Sequence, residues 1–302
     1  MTISLKNIAN DCLGISGTFS AIRDIFAYDQ MPKKIISLKE QIRIIISDCR
    51  HEKATFGIQG IRYFDRVNES GYLSEKCVEL PYTFNVCNGL YRKLVEAGHV
   101  CVFYLSGDDC WEAQLRSEQK GGIDDQVADN VDLFFVSSHG NNVNGQVRVT
   151  YNVKHDAWDA KSENWRLGDR DLEWLMVYAC STINMEKFDL LWHIFQRLHM
   201  FCGNWGDAFD SFTTDEVGED LGENLADGDP VSRAWIDALS DWAVDNHPAV
   251  LAAERREACK YDGDLDWPNT TMNQDHLWGH GKTVKDIIPR DICQLSLLWA
   301  EG

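Results

Sequence analysis

Residues 131–140 read VDLFFVSSHG and residues 172–182 read LEWLMVYACST, and these two blocks decide the fold. Each block is an apolar run that ends in a reactive side chain, His139 in the first and Cys180 in the second. Apolar runs of this length are typical of fully buried strands in a parallel sheet. Ligands of such sheets bind beyond the carboxyl ends of the strands, so we expect both side chains at the active-site edge.

The sequence around the two blocks continues the pattern of strands and helices. Strands that alternate with helices predict an α/β fold with a mostly parallel central sheet. Residues 141–154 carry turn signals and an alternating stretch, which predict a small hairpin or an edge strand. The further predicted strands are residues 56–64, 100–105, 199–203, 286–289 and 295–299, and the predicted helices are residues 88–99, 185–198 and 231–245.

The domain organisation follows from length and from changes in composition. A chain of 302 residues can form one large domain or two ordinary ones, and it contains no internal repeat. Residues 1–54 are predicted to be an N-terminal extension packed on the core, and residues 55–302 the α/β domain. Residues 213–230 hold seven acidic residues and no base, which predicts a solvated acidic loop, acting as a lid, or a helix. The region after it is expected to be rich in loops.

Charge and cysteine usage restrict the partners and the compartment. The formal charge is −19. A strongly acidic surface repels phosphates and anionic lipids, so neither nucleic acid nor a membrane is an expected partner. The ten cysteines show no CxxC pair, and the N-terminus has no secretory signal pattern. We therefore expect a cytoplasmic protein with reduced thiols.

His139 and Cys180 together point to nucleophilic catalysis. A thiol beside an imidazole can attack a carbonyl while the imidazole takes the thiol proton. Gly140 lets a substrate approach the backbone closely, and the amides of Gly140 and Cys180 are candidates for an oxyanion hole. A single buried cysteine is usually inert, and a single histidine at a strand end is usually structural. The pair at the ends of neighbouring strands favours the catalytic interpretation.

Three residues after the fifth predicted strand are candidates for binding substrate. Asp207 and Asp210 could bind a Lys or Arg side chain, although short acidic residues more often cap or solvate loops. Trp205 could form an apolar or cation–π wall, although core packing is the commoner role of tryptophan. His276 and His280 have the spacing of metal ligands, but glycines flank His280, so neither a metal nor another cofactor is predicted.

The strand–His-Gly and strand–Ala-Cys order resembles the caspase-like cysteine peptidases of clan CD, which include caspases, gingipains, legumains and clostripain. The chain has Ala179 before Cys180, and His139 lies 41 positions upstream. Tyr178 stands where caspases have glutamine, so the chain is not a caspase proper. The stretch from Leu172 to Cys202 also resembles a bacterial family with a caspase-like core. The resemblance covers residues 55–245 and implies a three-layer α/β sandwich.

By this resemblance Cys180 is the nucleophile and His139 the base or acid of a dyad. The expected function is a cysteine-dependent hydrolase, a peptidase by the family pattern, that passes through an acyl-enzyme. Two alternatives remain open: a small-molecule tailoring enzyme (a cyclase or acyltransferase) that uses the same pair, and a non-catalytic binding module. The eleven tryptophans could line an apolar pocket in the tailoring enzyme. The expected partner is a peptide or a small molecule, and the oligomeric state stays open.

Overall fold

A seven-stranded sheet organises the part of the chain that the computed structural model describes: residues 53–64, 79–151, 158–240, 246–260, 263–278 and 284–301. Its strand order is β10-β9-β8-β7-β3-β1-β2. The first five strands of this sheet along the chain run parallel to one another. β9 is antiparallel to both of its neighbours, β8 and β10, and β10 forms one edge. The strands are β1 (Thr55–Gly60), β2 (Val100–Ser106), β3 (Leu133–Ser137), β7 (Trp174–Tyr178), β8 (Met200–Asn204), β9 (Pro248–Arg255) and β10 (Ile292–Trp299).

Helices cover one face of this sheet. The described helices are α1 (Thr83–Ala97), α2 (Thr214–Asp227), α3 (Val231–Leu239) and the short α4 (Thr271–Gln274). Apolar residues of α1, α2 and α3 pack with Leu133 and Phe135 of β3 and with Trp174 and Met176 of β7. Fully burying a large apolar side chain of this kind contributes about 1.5–3 kcal/mol.

The other face is covered by a second, smaller sheet and by 3₁₀ turns. The small sheet is antiparallel, in the order β4 (Gly140–Val143), β5 (Gln146–Thr150) and β6 (Asp159–Lys161). Phe134, Val136, Leu175 and Val177, which alternate with the residues of the helical face, pack here. The described 3₁₀ turns are Gly107–Asp109, Glu112–Gln114, Glu118–Lys120, Asp124–Gln126, Ala128–Asn130, Ser162–Asn164, Phe188–Ile194, Trp267–Asn269 and Pro289–Asp291.

The α/β class, the mostly parallel central sheet and the three layers are therefore confirmed. The predicted strands at residues 56–64, 100–105, 199–203 and 295–299 correspond to β1, β2, β8 and β10. β9 was not predicted, and residues 286–289 are not a strand in the structure. The C-terminal region therefore contributes two strands of the central sheet, one of them an edge strand, as well as loops.

The acidic segment at residues 213–230 is mainly helix α2, not a solvated loop. Val217 and Leu221 are buried against the core. Gly89 of α1 and Gly218 of α2 bring the two helix backbones together, because a Cβ on either glycine would overlap the other helix. Two acidic side chains of α2 are paired with bases of α1, Glu219 with Arg92 and Glu223 with Lys93.

Two further expectations need correction or fall outside the description. Cys259 and Cys293 form a disulfide, so the prediction of reduced thiols is wrong for this pair. The predicted N-terminal extension lies almost entirely in residues 1–52, outside the described residues. None of the helices in the described part of the chain combines the length and apolar character that crossing a bilayer requires.

Candidate active site

Adjacent strands bring His139 and Cys180 to the same edge of the sheet. β3 and β7 pair in parallel, with Ser137 opposite Tyr178, and each reactive residue follows two positions later. Both side chains line one cleft of about 90 Å³. The residues that line the cleft are Leu80, Ser137, Ser138, His139, Tyr178, Cys180, Ala208 and Asp210.

Gly140 is in direct contact with the cysteine block. A Cβ at this position would lie 2.5 Å from the carbonyl oxygen of Cys180 and 2.8 Å from Cβ of Ala179. Because Gly140 has no side chain, the ends of β3 and β7 can approach each other. This role differs from the one expected from the sequence, in which Gly140 lets a substrate approach the backbone. The proposed use of the Gly140 and Cys180 amides as an oxyanion hole remains a prediction.

The thiol of Cys180 is partly exposed and held by a backbone group of the loop after β8. The amide of Ala208 donates to Sγ at 3.4 Å, and the carbonyl oxygen of the same residue lies 3.5 Å from Sγ. Burial raises the pKa of Cys180, the Ala208 amide opposes this shift, and the negative charge of Asp207 adds to it. The resting thiol is therefore protonated at neutral pH, and a base must remove its proton before it can attack.

The imidazole of His139 packs against Phe64, with the ring centroids 4.7 Å apart. Its ring lies near Asp210, an acidic residue that lines the cleft. Partial burial raises the pKa of Asp210, whereas the amide of Tyr82, which donates to it at 3.1 Å, and the nearby basic side chains of His139 and Arg62 act in the opposite direction. The cleft therefore combines a thiol, an imidazole and a carboxyl group.

Two buried side chains fix the loop that carries Ala208 and Asp210. The hydroxyl of Tyr178 donates to the carbonyl oxygen of Phe209 at 2.6 Å, and the amide of Phe209 donates to Oδ1 of Asn246 at 2.9 Å. Strand β7 therefore positions Cys180 directly and the opposite wall of the cleft through Tyr178.

The other two candidates of this loop do not line the cleft. The carbonyl oxygen of Asp207 accepts a hydrogen bond from the amide of His247, and its side chain is exposed, acting on Cys180 only through its charge. Trp205 packs edge-on against His247 at 4.6 Å, and its indole N–H donates to the carbonyl oxygen of Ala300 at 3.1 Å. Trp205 therefore does not line this cleft and packs near the C-terminal strand.

Several residues of the site were not singled out by sequence reasoning. Ser137, Ser138 and Tyr178 lie inside the two quoted blocks, where strand polarity could have indicated them. Leu80 and Ala208 come from distant loops, and no local pattern marks them. Ser181, directly after Cys180, has a left-handed backbone with φ of 50°, which is uncommon for a residue other than glycine and frequent at functional sites.

The predicted absence of a metal site at His276 and His280 is not tested in full, because residues 279 and 280 lie outside the described residues. Nδ1 of His276 lies 2.9 Å from the carbonyl oxygen of Gly228, which fixes that ring to the end of α2.

A family model described as "Domain of unknown function (DUF6345)" matches residues 64–300. Among solved structures, the crystal structure of the Drosophila initiator caspase Dronc matches with a TM-score of 0.38 and 13% sequence identity, over 65% of this chain and 78% of that chain. No curated protein matches the sequence.

Proposed function

The chain belongs to the DUF6345 family, and we propose that it is a cysteine-dependent hydrolase that cleaves peptide bonds. Cys180 is the nucleophile and His139 the general base and acid. The observation that carries the proposal is the shared cleft: both side chains line it, and Gly140 packs against the backbone of Cys180. The resemblance of the His-Gly and Ala-Cys strand ends to caspase-like peptidases supports the same roles.

The reaction proceeds in two proton-balanced halves. His139 takes the proton from Sγ of Cys180, and the thiolate attacks the carbonyl carbon of the substrate. The amides of Gly140 and Cys180 stabilise the negative oxygen that forms. The C–N bond then breaks, and His139 gives its proton to the leaving amine. In the second half, His139 takes a proton from water, and the hydroxide attacks the acyl carbon. The C–S bond then breaks and releases the acid, and His139 returns its proton to the Cys180 sulfur.

The lining of the cleft favours a peptide substrate over a small molecule held in an aromatic pocket. Pockets that enclose small ligands are rich in aromatic residues. Of the described residues that line this cleft, only His139 and Tyr178 have aromatic rings, and none is a tryptophan. The tailoring-enzyme alternative would require a pocket lined by tryptophan.

The carboxyl group of Asp210 favours a basic side chain next to the scissile bond. Among the residues that the structure describes, Asp210 is the one acidic residue that lines the cleft. A Lys or Arg side chain would form a charge-assisted hydrogen bond with it, which typically contributes about 1.5–3 kcal/mol. Peptides with Lys or Arg at this position are therefore the proposed substrates, and peptides with Asp or Glu there are excluded by repulsion.

A peptide library measures the activity directly. Wild-type protein is incubated with a mixed peptide library, and the cleavage sites are identified by mass spectrometry. Cys180→Ala should abolish cleavage, by about 10³-fold or more. The matched control is Cys101→Ala, because Cys101 is also a partly exposed free thiol but lies on β2, outside the cleft. Equal loss in both variants, or no cleavage by the wild type, would contradict the proposal.

A second pair of variants tests the role of Asp210. Asp210→Asn should raise the KM for Lys and Arg substrates about tenfold or more and leave the hydrolysis of a small neutral ester unchanged. Asp207 lies outside the cleft, so Asp207→Asn should change neither the KM for Lys and Arg substrates nor the hydrolysis of the ester. If Asp210→Asn lowers peptide and ester hydrolysis equally, the carboxylate positions His139 and does not bind substrate.

One observation favours the binding-module alternative. Burial raises the pKa of Cys180, and both backbone groups of Ala208 contact Sγ, as expected for a structural thiol. In that case iodoacetamide would label Cys180 no faster than the other free cysteines, and the library would remain intact. Faster labelling of Cys180 that requires His139 supports the hydrolase.

A further inference from the structure

A second group of functional side chains lies at the opposite edge of the sheet from Cys180. Glu173 directly precedes β7 and His199 directly precedes β8, so both lie at the amino ends of parallel strands. Asp286, from the segment before β10, lies beside Glu173 and His199. One ligand atom from each of the three residues lies within 4.8 Å of those of the other two. Five residues of β7, or about 17 Å, separate this cluster from the cleft.

The ring of His199 is oriented as a metal ligand would be. The side chain is 0% exposed, and Nδ1 donates to Oδ2 of Asp275 at 2.9 Å. The same carboxylate accepts the indole N–H of Trp174 at 2.7 Å, which fixes its position. This hydrogen bond leaves a lone pair on Nε2, which is buried without a hydrogen-bond partner among the described residues. Oδ1 of Asp286 lies 3.9 Å from this nitrogen.

We propose that Glu173, His199 and Asp286 bind a divalent transition-metal ion, with zinc as the best match. One imidazole nitrogen and two carboxylate oxygens are a zinc ligand set, and the nitrogen disfavours calcium and magnesium. The Asp275–His199 pair is the outer-shell carboxylate that commonly orients a metal-bound histidine. In a tetrahedral zinc site ligand atoms are about 3.4 Å apart, so binding would bring these three atoms, which lie within 4.8 Å of one another, closer together.

The charges around the cluster also favour a cation. The carboxyl groups of Asp275, Asp132 and Asp171 lie close enough to act on Glu173, in addition to that of Asp286 in the cluster. A bound cation would offset this accumulation of negative charge. The guanidinium of Arg197, which is 44% exposed, lies 3.9 Å from Oδ2 of Asp286.

The position of the site implies a structural role. Glu173 and His199 are held together by a hydrogen bond from the amide of His199 to the carbonyl oxygen of Glu173, at 2.8 Å. Asp286 comes from the C-terminal segment, and its side chain is 49% exposed, so it can move towards the ion while water fills the fourth position. The ion would thus attach the segment before β10 to the strands that carry the catalytic loops.

The experiment uses the full chain, freed of metal with a chelator, dialysed and titrated with zinc chloride. We expect one zinc ion per chain by elemental analysis and an increase in Tm of about 5 °C at saturation. Asp286→Asn should lose the ion and the Tm increase. Asp291→Asn is the matched control, because it removes another exposed carboxylate of the same segment, outside the cluster.

Cobalt distinguishes this site from binding by cysteine. With Co²⁺ in place of zinc, we expect weak visible absorption without the intense near-ultraviolet thiolate band, and Asp286→Asn should abolish it. Intense thiolate absorption, equal zinc binding by Asp286→Asn, or no binding by the wild type would each overturn the proposal. His199→Gln, if it folds, should behave as Asp286→Asn does.

Discussion

At the scale of single residues, the candidate site depends on the lack of a side chain at Gly140. Gly140 follows His139 and lies where a Cβ would contact both the Cys180 carbonyl oxygen and the Ala179 side chain. Its backbone position sets how far the imidazole lies from the thiol, because the two strand ends can approach no closer than their atoms allow. A methyl group would push these ends apart.

Gly140→Ala is therefore expected to impair catalysis more than stability. A displacement of about 1 Å in a reacting group can lower the rate about 10²-fold. We expect kcat/KM for a peptide substrate to fall by about that factor while the circular dichroism spectrum is unchanged. Asn141→Ala, the next residue of β4 and exposed, is the control and should keep wild-type activity. Wild-type kinetics in Gly140→Ala would show that the contact does not position the dyad.

The pH dependence of alkylation reports the state of the Cys180 thiol. Because burial raises its pKa, the protonated form persists to higher pH than in a free thiol, whose pKa is about 8.5. We expect the iodoacetamide labelling of Cys180, followed by mass spectrometry, to have its midpoint above that of glutathione in the same buffer. A midpoint below that of glutathione would instead mean that Cys180 and His139 form an ion pair at rest.

The sequence predicts the pair but not the whole cleft. His139 and Cys180 are placed by strand ends, and strand ends can be identified from apolar runs. Asp207 and Asp210 are the same residue type three positions apart in one loop, and only Asp210 lines the cleft. Tyr178 and Asn246 determine this difference by fixing the loop at Phe209, and Asn246 lies 37 positions after Phe209. Contacts of that range leave no local pattern.

At the scale of elements, strands with a local apolar pattern were predicted, whereas elements that depend on pairing with distant segments were not. β3 and β7 were predicted because fully buried strands have uniformly apolar sequences. β9 reads PAVLAAER, and its alanines favour a helix as much as a strand, so pairing with β8 and β10 decides its structure.

A predicted helix was also replaced by a shorter element. Residues 185–198 have helical spacing, but the structure forms only the 3₁₀ turn Phe188–Ile194. Leu167 hydrogen-bonds with both Ile194 and Gln196 and so ends the turn. The competing pairing comes from a segment about 30 residues earlier, which periodicity does not detect.

The contact between α1 and α2 gives a prediction at this scale. Gly218→Ala would add a Cβ that overlaps the Val86 carbonyl oxygen. Alanine favours a helix by about 1 kcal/mol over glycine, and overpacking costs about 1–3 kcal/mol, so we expect net destabilisation. Urea unfolding should show a lower midpoint. Glu216→Ala, exposed on the same helix, should change it little. A stabilised Gly218→Ala would mean that the helices are not in close contact.

At the scale of the whole molecule, long-range links fix the C-terminal region. The disulfide joins Cys259, just after β9, to Cys293 in β10, and closes a loop with a sequence separation of 34. This loop contains Asp275 and Asp286, both of which face His199. The disulfide could not be predicted from spacing, because ten scattered cysteines allow many pairings. The contacts of Asp275 and Asp286 with His199 could not be predicted from spacing either.

Loss of the disulfide should destabilise the protein without affecting the cleft directly. Closing a loop of this length restricts the unfolded chain and contributes about 3–4 kcal/mol. In urea unfolding, we expect the free energy of unfolding of the double variant Cys259→Ser/Cys293→Ser to be about 3–4 kcal/mol lower than that of the wild type. Dithiothreitol should lower the free energy of unfolding of the wild type but not that of the variant. Cys101→Ser, a free thiol, is the control. If alkylation of the unfolded, unreduced protein labels all ten cysteines, the bond is absent and the expectation of reduced thiols would apply to this pair after all.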